Sequence, residues 1–104
     1  MLKRAEKVII ITERMISGSI IGYLESLGIK AYTIYHSVSG QGKRGMRSIS
    51  GGLSRFGENI RIEVIIENEE LAAEIADKIY HKYLHSKYAG IIYLEGIRIL
   101  SPEE

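Results

Sequence analysis

The chain contains no cysteine among its 104 residues. Disulfide scaffolds, thiolate metal sites and cysteine nucleophiles are therefore excluded, and the composition fits a reducing compartment. An apolar run near the roughly 20 residues that a membrane span requires is also missing. Residues 1–7 are too charged for a signal peptide, and the apolar run that follows, Val8–Ile11, is short. We therefore expect one cytoplasmic domain that comprises residues 1–104, a length typical of a single domain.

The chain also lacks an excess of charge of one sign, since it has 14 basic and 13 acidic residues. The near-neutral total, and the lack of aromatic residues interleaved with basic ones, argue against a nucleic-acid partner. The basic residues are nevertheless clustered. Between Val38 and Gly57 the chain has six glycines, four serines, no acid and four cations, namely Lys43, Arg44, Arg47 and Arg55. We expect this segment to meet any anion that the protein binds.

The segment Gly40–Ser48 has the composition of an anion-binding loop. Glycines let backbone N–H groups approach a ligand closely, and arginine side chains can donate paired hydrogen bonds to phosphate oxygens. It is not a P-loop, since the Gly-Lys-Ser/Thr ending is missing and no helix start follows directly. A solvated hairpin loop kept soluble by its charges would have the same composition, so the pattern alone leaves both interpretations open.

Hydrophobic periodicity predicts the order βαββαβ. Strands are expected at Lys7–Thr12, Ala31–Ser37, Asn59–Ile66 and Ile91–Leu94, with a last short strand at Ile97–Leu100. One helix is indicated by apolar residues at helical spacing from Ile16 to Leu27, and a second runs from the cap Asn68 to about Leu84. This order predicts an α+β, ferredoxin-like sandwich with two helices on one face of an antiparallel sheet. Residues 38–58 then form a long loop between the second and third strands.

This architecture leaves one sheet face without helices. Yet Val8–Ile11 and Ile91–Leu94 are apolar at every position, as is typical of strands buried on both sides. A large exposed apolar patch is unusual on a soluble monomer. The pattern therefore predicts a homo-oligomer whose copies bury the second face, and the clefts between subunits become candidate ligand sites.

Short motifs follow one another over nearly the whole chain: Val8-Ile-Ile-Ile-Thr-Glu13, Ala31-Tyr-Thr33, Gly42-Lys-Arg-Gly-Met-Arg-Ser48, Asn59-Ile-Arg-Ile-Glu-Val64 with Glu67-Asn68, Ala76-Asp-Lys78 and Tyr88-Ala-Gly-Ile-Ile-Tyr93. In this order and spacing they resemble the PII-like signalling proteins, and within them the carbon-regulatory, SbtB-like branch. The resemblance implies a homotrimer with inward-facing sheets, adenine nucleotides in three intersubunit clefts, and residues 38–58 as the T-loop that reports the ligand to a partner.

The resemblance also assigns nucleotide-binding residues by position. Arg44 and Arg47 would hold the phosphate, and Thr33, Gly90 and Ile91 would border the nucleotide. Further candidates are Lys43, Ser48, Arg61 and Glu63, of which Glu63 either pairs structurally with Arg61 or touches the ligand.

The arginine- and glycine-rich segments that bind triphosphate in nitrogen-regulatory relatives are absent, which favours AMP, ADP or cyclic AMP over ATP as the effector. Bicarbonate is a second expected ligand. A bicarbonate transporter is the expected target, at which the protein would be peripheral to the membrane. No permanently bound cofactor is expected.

Two other functions, metal binding and catalysis, have less support in the sequence. His81 and His85 stand four residues apart, a spacing that can bind a metal. Sequence neighbours suggest no third ligand, so no metal site is expected, although a CutA-like trimeric metal-binding protein of the same fold is the alternative. His36 is expected to be a packed or surface residue. Catalysis is not expected, because no serine stands in a nucleophile-elbow context.

Overall fold

The chain is described by a computed structural model over residues 1–38 and 59–102. Strand β1 (Leu2–Glu13) leads into helix α1 (Arg14–Ser26), followed by β2 (Tyr32–Val38) and β3 (Asn59–Ile66). Helix α2 (Glu69–Ile79) continues into a π-helical turn (Tyr80–Leu84), and β4 (Gly90–Leu100) completes the sheet. All strand pairs are antiparallel, in the order β2-β3-β1-β4. The predicted ferredoxin-like βαββαβ architecture is confirmed.

The core lies between the sheet and the two helices. Alternate residues of β3 (Ile60, Ile62, Val64 and Ile66) are buried against the helices, as the period of two predicts. From the helices, Ile20, Leu24, Ala72 and Ile79 pack into the same cluster. Asn68 caps α2, because its Oδ1 accepts a hydrogen bond from the backbone N–H of Leu71 at 2.8 Å. Both helices therefore lie on one face of the sheet.

The first strand is longer than predicted. It begins at Leu2 rather than Lys7, because residues 2–6 pair with residues 96–100 of β4, from Leu2 opposite Leu100 to Glu6 opposite Gly96. The same pairing joins the two short strands expected at the end of the chain into one, Gly90–Leu100. Glu95 and Gly96 do not interrupt the ladder, because Lys7 and Glu6 stand opposite them.

The second helix also differs from the prediction in its last turn. It is α-helical only to Ile79, and its continuation to Leu84 is a π-helical turn in which the N–H of His85 donates to the carbonyl oxygen of Tyr80 at 2.7 Å. The first helix ends as expected, with Gly28 in the left-handed region at φ +89°. Within the described ranges, the helices do not combine the length and apolar character needed to cross a bilayer.

Candidate functional site

Four of the expected site residues lie on the sheet face that carries neither α1 nor α2, here called the helix-free face. Strand register places Thr33 opposite Glu63 and Arg61 opposite Tyr35. In the strand order β2-β3-β1-β4, one row of residues that face one another consists of Thr33, Glu63, Ile9 and Tyr93. The adjacent row consists of Tyr35, Arg61, Ile11 and Ile91. The second row lies near the strand ends that flank residues 39–58. Thr33, Arg61, Glu63 and Ile91 are therefore brought together on one surface.

Arg61 and Glu63 form an ion pair within this surface. Arg61 Nε donates to Glu63 Oε2 at 2.7 Å, and Nη2 lies 2.6 Å from the same oxygen. The guanidinium also lies 5.5 Å from the centroid of the Tyr35 ring. Burial alone would lower the pKa of Arg61, but the hydrogen bond and negative charge of Glu63 outweigh it and raise that pKa. The structural pairing of Glu63, one of its two predicted roles, is confirmed.

Lys7 extends this pair into a charged row across three strands. Its Nζ lies 3.8 Å from Glu63 Oε1 and 3.6 Å from Glu95 Oε1. The two carboxylates differ in environment, since the side chain of Glu63 is 12% exposed and that of Glu95 is 53% exposed. Glu63 is therefore the more sheltered acceptor and is held between two cations.

Apolar side chains surround the charged row on the helix-free face. Ile9 is fully buried within the single chain, whereas Ile11, on the same face of β1, is only partly buried. Ile65 remains 50% exposed, and Tyr35 and Tyr93 are exposed as well. The described chain thus leaves apolar surface on this face that another molecule could cover.

Gly90 lies at the same end of the sheet, opposite Thr12. The preceding residue is fixed to β1 by two hydrogen bonds: Thr12 Oγ1 donates to the carbonyl oxygen of Ala89 at 2.7 Å, and the Ala89 N–H donates to Glu13 Oε2 at 3.0 Å. A Cβ at position 90 would lie 2.9 Å from the Ile11 carbonyl oxygen. The close approach of β4 to β1 is therefore a structural reason for glycine here.

The remaining expected phosphate-binding residues lie outside the described part of the chain. These are Lys43, Arg44, Arg47 and Ser48, which belong to the expected T-loop. Of the predicted loop 38–58, only Val38 is described, and it is the last residue of β2.

The histidines are exposed, and two of them form a cluster at the end of α2. The rings of His81 and His85 have centroids 5.5 Å apart, and the Tyr80 ring contacts both edge-on. Sequence reasoning missed Asp77, whose Oδ1 lies 3.3 Å from His81 Nδ1, although helical spacing would have indicated it. Among residues 1–38 and 59–102, no three His, Cys, Asp or Glu side chains are grouped so as to hold a metal ion. His36 lies on β2.

Comparison with known proteins decides the family. The family model described as nitrogen regulatory protein P-II matches residues 5–103. The chain belongs to the P-II family. Among solved structures, this P-II family member is similar to a PII-like signalling protein from Thermus thermophilus, with 32% sequence identity over 95% of this chain and 92% of that chain, and a TM-score of 0.72.

Two further solved structures share the fold at lower identity. CPII from Thiomonas intermedia, a nitrogen regulatory PII-like protein, was solved bound to ADP, AMP and bicarbonate; it is 22% identical over 99% of this chain and 100% of that chain, with a TM-score of 0.76. The CPII structure bound to ADP, AMP and acetate is 22% identical over 98% and 94% of the two chains, with a TM-score of 0.79. The resemblance to PII-like proteins is thus confirmed by family, fold and length.

Proposed function

We propose that this P-II family member is a regulator that binds an adenine nucleotide, AMP or ADP, in clefts between copies of the chain. The observation that carries the proposal is the convergence of Thr33, Arg61, Glu63 and Ile91 on the helix-free face, near the strand ends that flank residues 39–58. The ADP and AMP bound to CPII support the choice of ligand.

The phosphate end of the nucleotide is assigned to the basic segment. In this proposal, residues 1–104 form one P-II domain with residues 38–58 as its T-loop. Arg44 and Arg47 donate to the phosphate, and Lys43 and Ser48 complete the contacts. Charge-assisted hydrogen bonds contribute about 1.5–3 kcal/mol each, so two arginines are enough to make the loop depend on the ligand. Such a dependence suits a signalling protein better than an enzyme.

The clefts require more than one copy, and the helix-free face supports this requirement. Ile65, Tyr35 and Tyr93 are exposed there in the single chain. Full burial of an isoleucine side chain contributes about 1.5–3 kcal/mol, and covering the exposed half of Ile65 would contribute part of that. We assign this face to the centre of a homotrimer, with each nucleotide held between neighbouring copies.

The regulated process is proposed to be the uptake or metabolism of inorganic carbon, as in the SbtB-like branch. The bicarbonate in CPII complexes supports bicarbonate as a second ligand. A cytoplasmic regulator with a bicarbonate transporter as its target fits this assignment.

Calorimetric titration of the purified protein tests the proposal. AMP, ADP, ATP and cyclic AMP are titrated separately, each with and without bicarbonate. We expect AMP or ADP to bind most tightly, and Arg44→Ala to weaken that binding at least tenfold. Arg98→Ala is the matched control, because Arg98 lies on β4 opposite Arg4, at the other end of the sheet. Absence of binding by every adenylate, or equal losses in both variants, would overturn the proposal.

A further inference from the structure

We propose that His81 and His85 form a binding site for one divalent transition-metal ion at the end of α2, separate from the nucleotide site. Their ring centroids are 5.5 Å apart and the ring planes are tilted by 39°. Two imidazoles bound through nitrogen to one tetrahedral ion, with metal–nitrogen bonds of about 2.0–2.1 Å, have centroids about 5 Å apart. The observed separation of the two rings is therefore close to the separation that a shared ion would impose.

Asp77 prepares His81 for this role. The Nδ1 atom of His81 lies 3.0 Å from the backbone oxygen of Asp77 and 3.3 Å from its Oδ1. Both oxygens can only accept a hydrogen bond, so Nδ1 carries the proton in this arrangement. The neutral ring then has its lone pair on Nε2, which is left for the metal. A carboxylate behind a histidine ligand is the common way in which proteins orient such a ring.

The local backbone and Tyr80 hold the two histidines together. The Tyr80 ring lies edge-on to both, with centroid distances of 5.3 Å to His81 and 5.7 Å to His85. The turn that separates the histidines is π-helical, closed by the hydrogen bond from the N–H of His85 to the carbonyl oxygen of Tyr80. Single π-helical turns are rare and are frequently found at functional sites. This independent feature coincides with the histidine pair.

Two neighbouring cations are engaged by other groups, whereas a third, Lys87, donates from Nζ to the carbonyl oxygen of Lys82 at 3.2 Å. Lys78 Nζ lies 3.4 Å from Glu74 Oε2. Lys82 Nζ lies over the rings of Tyr23 and Tyr83, at 5.6 Å and 5.7 Å from their centroids. Lys78 and Lys82 are thus engaged by other groups, which lowers their electrostatic repulsion of a divalent ion at the histidines.

The two histidines fill only two coordination positions of the metal ion. In the described ranges, the histidines belong to no group of three His, Cys, Asp or Glu side chains suited to a metal. Both histidines are exposed, so water completes the coordination. Imidazole ligands suit Zn²⁺, Ni²⁺ and Cu²⁺, and the general order of affinities places Cu²⁺ first.

Calorimetry with metal-free protein, in the absence of nucleotide, tests the site. Separate titrations with Zn²⁺, Ni²⁺ and Cu²⁺ are expected to saturate at one ion per chain, with Cu²⁺ tightest. His81→Gln and His85→Gln should each weaken Zn²⁺ binding at least tenfold. His36→Gln is the matched control, because it removes an exposed histidine on β2 and should leave the affinity unchanged.

Circular dichroism confirms first that each variant is folded, which is expected because all three side chains are exposed. The proposal is overturned if neither His81→Gln nor His85→Gln weakens binding, if His36→Gln weakens it equally, or if the titrations do not saturate and show an adventitious ion only. Arg44→Ala, the variant chosen to impair the nucleotide site, should leave Zn²⁺ binding unchanged. The metal site and the nucleotide site are then tested independently of each other.

Discussion

The guanidinium of Arg61 and the carboxylate of Glu63 are joined on the helix-free face, where Nε and Nη2 both approach the single oxygen Oε2. The two residues are separated by one position on β3, so the pleat places both side chains on the same face. Ile62, the residue between them, is buried on the opposite face. The alternation of one strand thus builds the core on one side and a charged pair on the other.

This pair predicts a measurable contribution to stability. Glu63→Gln should lower the free energy of unfolding by about 1 kcal/mol, because it removes a charge-assisted hydrogen bond from a sheltered site. Glu95→Gln is the matched control. Glu95 also approaches Lys7, but its side chain is 53% exposed, and exposed ion pairs contribute little. Urea denaturation of both variants checks the prediction, which fails if the two losses are equal.

The close approach at Gly90 predicts the effect of a single methyl group. In Gly90→Ala, the new Cβ would lie 2.9 Å from the Ile11 oxygen and 3.0 Å from both Leu84 Cδ2 and Thr12 Cβ. We expect a loss of about 1–3 kcal/mol, since backbone must shift to make room.

Gly22→Ala is the control for this substitution. Position 22 lies in α1, and a Cβ there meets no atom within 4 Å. The helix propensity of alanine should raise stability by up to about 1 kcal/mol. Thermal denaturation of both variants gives the comparison, and equal stability of Gly90→Ala and the parent protein would contradict the packing argument.

Hydrophobic period was enough to predict the elements that bury a face. In β3 the apolar residues Ile60, Ile62 and Val64 occur at every second position, and the same positions are buried in the structure. The extension of β1 was missed because Lys3, Arg4 and Glu6 show no apolar alternation; pairing with β4 provides their backbone hydrogen bonds instead. Backbone hydrogen bonds between strands do not depend on an alternation of apolar and polar side chains. The lengths of the strands were therefore the least accurate part of the prediction.

Only the part of the candidate site that depends on spacing along a single strand could be predicted from the sequence. The pairing of Arg61 with Glu63 follows from spacing along one strand and was among the predicted roles. Which residues of β2 and β4 stand beside them depends on register, which the single sequence does not specify. The π-helical turn at Tyr80–Leu84 also lies outside what helical periodicity can indicate, because its hydrogen bonds skip one residue more than those of an α-helix.

The hydrogen bond between Tyr32 and Glu25 predicts a pH dependence. The Tyr32 hydroxyl donates to Glu25 Oε2 at 2.8 Å. This hydrogen bond, with burial and the negative charge of Glu25, raises the pKa of Tyr32 above its ordinary value of 10.0. The hydrogen bond therefore stabilises the folded chain below pH 10.0, and the stabilisation is lost as the pH rises through the folded-state pKa.

Titration of Glu25→Gln checks this relationship. The variant should show a lower Tyr32 pKa than the parent, measured by the chemical shift of the Tyr32 ring carbon, with Tyr32→Phe used to assign the resonance. The difference in unfolding free energy between parent and variant should shrink at high pH. An identical Tyr32 titration in parent and variant would contradict the assignment.

Assembly through the helix-free face predicts a variant that remains folded but does not associate. Ile65 is 50% exposed on β3 and lies opposite Lys7. In Ile65→Glu the carboxylate stays in water in the single chain, but it would be desolvated in a trimer with inward-facing sheets, at a penalty of several kcal/mol per ion. We therefore expect a monomer at micromolar concentration by analytical ultracentrifugation. Leu71→Glu is the control: Leu71 is 46% exposed but lies on α2, away from the helix-free face, so its trimer should be intact. Trimeric Ile65→Glu, or loss of assembly in both variants, would contradict the assignment of this face.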